Sequence, residues 1–152
     1  MTDPRQPYGE PDLKIEGLSI WALEREFPLY IDFWDGNWII IHARAEAPGS
    51  VVNIYGAYLR SEEVQAFLTQ LEILDRDLSG QAELACMEPM LQVKVIAQPR
   101  GQLKITVQIT PDIGTQKHEI DFASDQTIIK HAIAGCRAIL TEFPVIGSPD
   151  AP

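Results

Sequence analysis

Residues 91–110 read LQVKVIAQPRGQLKITVQIT, and this stretch decides the fold. Leu103, Ile105, Val107 and Ile109 alternate with Gln102, Lys104, Thr106, Gln108 and Thr110. Before them, Leu91, Val93, Val95 and Ala97 alternate with Gln92, Lys94 and Gln98. Successive side chains of a strand point to opposite faces, so each run has one apolar and one polar side. Pro99-Arg100-Gly101 between them supplies turn chemistry. The pattern predicts a β-hairpin that is dry on one face and wet on the other, as antiparallel sheets commonly are.

The same period extends in both directions. Residues 13–23 alternate, with Gly17 read as a bulge or kink. Residues 38–46 place Ile39, Ile41, Ala43 and Ala45 on one side, and Pro48-Gly49-Ser50 turns the chain into residues 51–59. Residues 82–86 and 117–123 complete the strands. Two segments change to the helical period. In the first, Ser61 is the expected N-cap, Glu62 and Glu63 suit the helix dipole, and Gly80 is the stop. Its stripe is Val64, Phe67, Leu68, Leu71, Leu74 and Leu78. The second starts at Ser124 or Asp125 and carries Ile128, Ile129, Ala132, Ile133, Cys136, Ile139, Leu140 and Phe143 up to Pro144. The expected class is α+β, an antiparallel β-sheet of about six to seven strands with two amphipathic helices packed on one face. Residues 1–10 and 147–152 read as flexible tails around a single α+β domain, 11–146, with no internal repeat.

The 152-residue length fits one domain able to bury its own core. Hydrophobic content of 45% is too high for a disordered chain. No apolar run approaches the roughly 20 residues of a membrane span, since Trp38-Ile39-Ile40-Ile41 is broken by His42 and Arg44. The start, Met1-Thr2-Asp3-Pro4, lacks a secretory signal, so cytoplasm is the expected compartment. There, Cys86 and Cys136 read as small buried thiols, not a disulfide or zinc pair. A net charge of −10 argues against nucleic acid and anionic membrane as partners and would steer a basic one.

Chemistry is harder to find. His42, His118 and His131 lack metal-ligand spacing, and nucleophile elbows and phosphate loops are absent, so no cofactor or catalytic residue is expected. Asp75 and Asp77 point apart on a helix, and Asp35-Gly36-Asn37 reads first as a tight reverse turn. Aromatic clustering is the distinctive feature. Trp21, Phe27, Tyr30, Phe33, Trp34, Trp38, Tyr55 and Tyr58 fall within one third of the chain. Trp and Tyr dominate interface hot spots. Tyr30, Asp32, Trp34, Asp35, Asn37 and Trp38 are therefore the candidate partner-binding residues, with core packing the competing reading. Trp38, Ile40 and His42 should share the face opposite Ile39 and Ile41, uncovered unless the N-terminal part or another chain lies over it.

Several stretches together resemble the WapI-like immunity protein family. Asp32-Phe33-Trp34-Asp35-Gly36-Asn37-Trp38 resembles its D-x-W-D-G-N-W signature. Leu59-Arg60-Ser61-Glu62-Glu63-Val64 resembles its strand-to-helix junction, Leu78-Ser79-Gly80-Gln81-Ala82-Glu83-Leu84 its L-S-G-x-A-x-L segment, and Asp125-Gln126-Thr127 its C-terminal end. The match covers most of residues 13–144. The resemblance implies a bacterial cytoplasmic protein that blocks a toxin by stoichiometric binding, and no catalytic residue carries over. Many such toxins are basic, which suits an acidic inhibitor. Two alternatives stay open: a small-ligand binder or enzyme with a pocket near residues 30–38, and a structural homo-oligomer, a homodimer among the options, that buries the aromatic patch between subunits.

Overall fold

The computed structural model describes residues 8–150. In chain order it contains β1 (Leu13–Ile15), β2 (Leu18–Arg25), the single turn α1 (Phe33–Gly36), β3 (Trp38–Ala47), β4 (Ser50–Arg60) and α2 (Ser61–Asp77). Then follow β5 (Gln81–Ala85), β6 (Leu91–Ala97), β7 (Gln102–Ile109), β8 (Glu119–Asp125) and α3 (Thr127–Glu142). The eight strands form two four-stranded antiparallel sheets, ordered β1-β2-β3-β4 and β5-β6-β7-β8. The α+β class agrees with the sequence pattern, whereas the single sheet of six to seven strands becomes two sheets of four. Alternation reports which side chains share a face; it carries no information about which strands pair.

Four strands followed by a helix thus occur twice. Buried residues Val64, Phe67, Leu68, Leu71 and Leu74 of α2 correspond in spacing to Ile129, Ala132, Ile133, Cys136 and Ile139 of α3. The two halves are structural counterparts even though the sequence displays no repeat. Each helix crosses over: α2 packs beside β5, α3 beside β1, and the helices pack on each other. One apolar cluster runs through both halves, from Leu13 to Phe143.

Local differences from the sequence pattern have simple causes. Residues 13–23 are two strands, not one kinked strand, because Glu16 (φ 51°) and Gly17 form a two-residue hairpin turn. A side chain on Gly17 would collide with the Glu46 carbonyl and the Phe122 ring. The helix α2 is capped at Arg60, whose backbone N–H donates to Glu63 Oε1 at 2.8 Å, while Ser61 lies inside the helix. Leu78, left-handed at φ 52°, ends it ahead of Gly80. Asp125 accepts from Thr127 N at 2.9 Å just before α3. His118 precedes β8 and pairs with Gln116 instead of opening the strand.

Around Trp21, the outer face of the first sheet is covered from the N-terminal side. Trp21 is buried under Tyr8 and His42, and its indole N–H donates to Gly9 O at 2.9 Å. Of the expected N-terminal tail, residues 1–7 lie outside the described residues, as do 151 and 152 at the other end.

Candidate partner-binding site

Between β2 and β3 the chain makes a long excursion, residues 26–37, centred on α1. Asp32 caps that turn by accepting the Asp35 N–H at 2.9 Å. The expected reverse turn at Asp35-Gly36-Asn37 is therefore a short helical turn. Gly36 belongs there because a Cβ would come within 2.9 Å of the Tyr30 carbonyl.

What fixes this loop is a buried arginine that the sequence did not single out. Arg60 is 1% exposed. Its Nη2 donates to the carbonyls of Phe33 (2.7 Å) and Trp34 (3.0 Å). Its guanidinium carbon lies 5.2, 5.5 and 5.0 Å from the ring centres of Phe33, Trp34 and Trp38. Rings accept a cation on their negatively charged faces, most strongly where water is excluded. Glu62 provides the countercharge, 2.9 Å from Nε in an ion pair that lacks hydrogen-bond alignment.

A second arginine ties the loop to the C-terminal segment. Arg25 donates to Gly36 O at 3.2 Å, to Ser61 Oγ at 2.8 Å and to Pro144 O. Ser61 in turn donates to Phe143 O at 2.9 Å. Asn37, wholly buried, donates to Phe33 O and Ile146 O at 2.9 Å and accepts from Ile146 N at 2.8 Å. Gly147 passes against Phe33, where a Cβ would stand 3.0 Å from its nitrogen.

The six candidate residues therefore divide. Tyr30, Asp32, Trp34 and Asp35 are exposed, Trp38 is half-buried over Arg60, and Asn37 is enclosed and belongs to the scaffold. Beside the exposed four stand apolar side chains that the sequence reading passed over. Leu29 is 90% exposed, Ile31 86% and Trp34 54%, with Phe27 stacked on Tyr30. The exposed acids Glu24, Glu26, Asp32 and Asp35 belong to the same stretch of chain. Exposed apolar side chains on an anchored backbone, with acidic residues in the same segment, are features that recognition surfaces use.

Residues 12–144 match the model of the immunity protein WapI-like family. The chain belongs to that family. Comparisons with curated proteins and with solved structures give no match. The family stretch takes in the whole aromatic loop, Arg25, Arg60 and Pro144, and ends two residues before Ile146 completes the anchor.

Beneath the loop, this WapI-like chain half-buries a small charged cluster around the enclosed Arg60. Burial pushes Glu63 up to about 7, against the pull of N–H donors from Met87 and Arg60. Burial also raises Glu62, opposed by its own backbone N–H and by Arg60 and Arg25. Arg25 is lowered, again mainly by burial. Glu63 bonds across to Met87 N at 2.6 Å, so it joins the loop's foundation to the β5–β6 connection. Cys86 and Cys136 are buried free thiols, both raised by desolvation, Cys136 to about 12. Among the described residues no cluster of His, Cys, Asp and Glu could hold a metal ion, and no helix is long and apolar enough to cross a membrane. Surface concavities lie on the polar face of the second sheet, around Lys94 and Thr106, and between the helices near His131.

Proposed function

We propose that this chain is a non-enzymatic protein-binding module of the bacterial cytoplasm that neutralises a toxin by stoichiometric binding, and that residues 27–35 are its contact surface. Membership of an immunity protein family supports the class of function. One observation carries the choice of surface: Leu29 and Ile31 point into solvent from a loop whose backbone is fixed from below by Arg60, Arg25 and Asn37. A loop already ordered loses little conformational freedom on binding. Tyr30, Trp34, Leu29 and Ile31 supply the desolvated anchors, while Asp32 and Asp35 select a basic partner. Asn37 and Trp38 hold the loop and stay out of the contact.

The test is a titration against a cognate toxin domain, to be sought first among the genes that neighbour this one. Leu29→Asp with Ile31→Asp should weaken binding at least about 100-fold, and Trp34→Ala with Asp35→Ala about 10- to 100-fold. Both double variants should melt like the parent. Unchanged affinity in either, with the fold intact, removes these residues from the contact.

A further inference from the structure

We infer that β4 is a self-pairing edge, through which two copies of this chain join their first sheets into one continuous eight-stranded sheet. A strand at the border of a sheet presents unpaired N–H and C=O groups, and proteins ordinarily shield them by shortness, cover or charge. Four strands occupy borders here: β1, β4, β5 and β8. Three have such a shield. β1 has three residues and lies beside α3; β5 has five and lies beside α2. β8 carries Glu119, Asp121 and Asp125 in seven residues.

β4 is neither short nor, ahead of Arg60, charged, and its contacts with α2 and β7 are sparse beside those that cover β1 and β5. It is 11 residues long, and from Ser50 to Leu59 it contains neither a charged residue nor a proline. It is hydrogen-bonded to β3 alone, and among the described residues its outward backbone groups make no backbone bond elsewhere. The bulge at Tyr58 distorts the end near Arg60, so the straight, pairable part is Ser50–Tyr55.

The occupant follows from charge and register. Two copies each carrying −10 repel over most of their surfaces, yet this stretch is neutral. Val51, Asn53 and Tyr55 form its exposed row, with Val52 and Ile54 turned inward to the core. An antiparallel pairing centred on Asn53 sets Val51 opposite Tyr55 of the second copy, Tyr55 opposite its Val51, and Asn53 opposite Asn53. A two-fold interface requires this kind of self-complementarity. Apolar meets apolar in both outer pairs, which is the favourable cross-strand arrangement. Asn53 lies seven residues from Arg60, or about 23 Å along the strand, so the aromatic loops of both copies stay accessible. Edge pairing alone buries little area, and the dimer is accordingly weak.

Sedimentation equilibrium of the full chain over about 1 μM to 1 mM should reveal a monomer–dimer equilibrium. Val51→Lys and Tyr55→Glu should each raise the dissociation constant about tenfold, leaving the unfolding curve unchanged. Combined in one chain, they place Lys opposite Glu in both outer pairs, so the double variant should recover the dimer and make it sensitive to salt. A monomer throughout the range overturns the inference, as does a dimer indifferent to the two single substitutions or a double variant that stays dissociated at low salt.

Discussion

The two halves of this molecule solve the same packing problem with different connections. Each runs through four antiparallel strands into a helix whose buried stripe has the same spacing. In the second half, the two middle strands are joined at Pro99–Gly101, with Arg100 left-handed at φ 65°. In the first, the equivalent join is residues 26–37, with its own helical turn and four of the eight clustered aromatics, Phe27, Tyr30, Phe33 and Trp34. At the strand-to-helix junction the halves diverge as well. Arg60 is enclosed by rings, whereas its counterpart Asp125 is exposed and bonds only its neighbour Thr127. A packing core needs neither the excursion nor the buried cation, as the second half demonstrates. Under the proposed function, their presence in the first half distinguishes the contact loop from the packing scaffold.

That contrast can be broken most severely at Arg60. Arg60→Met should cost about 3–5 kcal/mol in denaturant unfolding, because it strands Glu62 and two carbonyls without their partner. Asp125→Ala should cost only a small fraction of that, so equal losses would erase the distinction between the junctions. Asn37→Ala comes next, at about 2 kcal/mol, with faster amide exchange at Ile146 as its signature. A value near zero would mean the C-terminal segment does not hold the loop.

Glu63 sharpens the comparison through pH. Its folded value is raised to about 7 by burial, so the native state holds the proton more tightly than the unfolded chain. The resulting stability is complete below the ordinary carboxylate range and is lost as pH rises through about 7. Ile128 holds the matching position in the other half and cannot titrate. Parent and Glu63→Gln unfolding curves should therefore diverge between pH 5 and pH 8, the parent losing ground as pH rises. Parallel curves would show that Glu63 is solvated like a surface acid. The smallest effect on stability belongs to Leu29→Asp and Ile31→Asp, within about 0.5 kcal/mol each, since both side chains already stand in water.

Much of this architecture was legible in the residues. The 91–109 hairpin and both helical stripes follow from periodicity, which depends only on neighbours along the chain. The division of 13–23 left a trace that was passed over: apolar positions are odd at Leu13 and Ile15 but even at Leu18 and Ile20. A change of parity means that a turn has used up residues. Pairing between strands, and hence two sheets instead of one, is not local and left no such trace. At the candidate site, aromatic density singled out the loop between β2 and β3 but could not separate Trp34, which faces water, from Asn37, which does not. Arg60 went unnoticed because arginine is ordinarily a surface residue, and its burial depends on three rings and two carbonyls brought from 22 or more positions away.

The clasp between Asn37 and Ile146 also orders events in time. Asn37 and Ile146 are 109 positions apart, so a ribosome delivers the aromatic loop long before this one of its anchors. Until Ile146 clears the exit tunnel, the loop carrying Leu29, Ile31 and Trp34 is held by Arg25 and Arg60 without the Asn37 clasp, and the proposed contact surface is completed only afterwards.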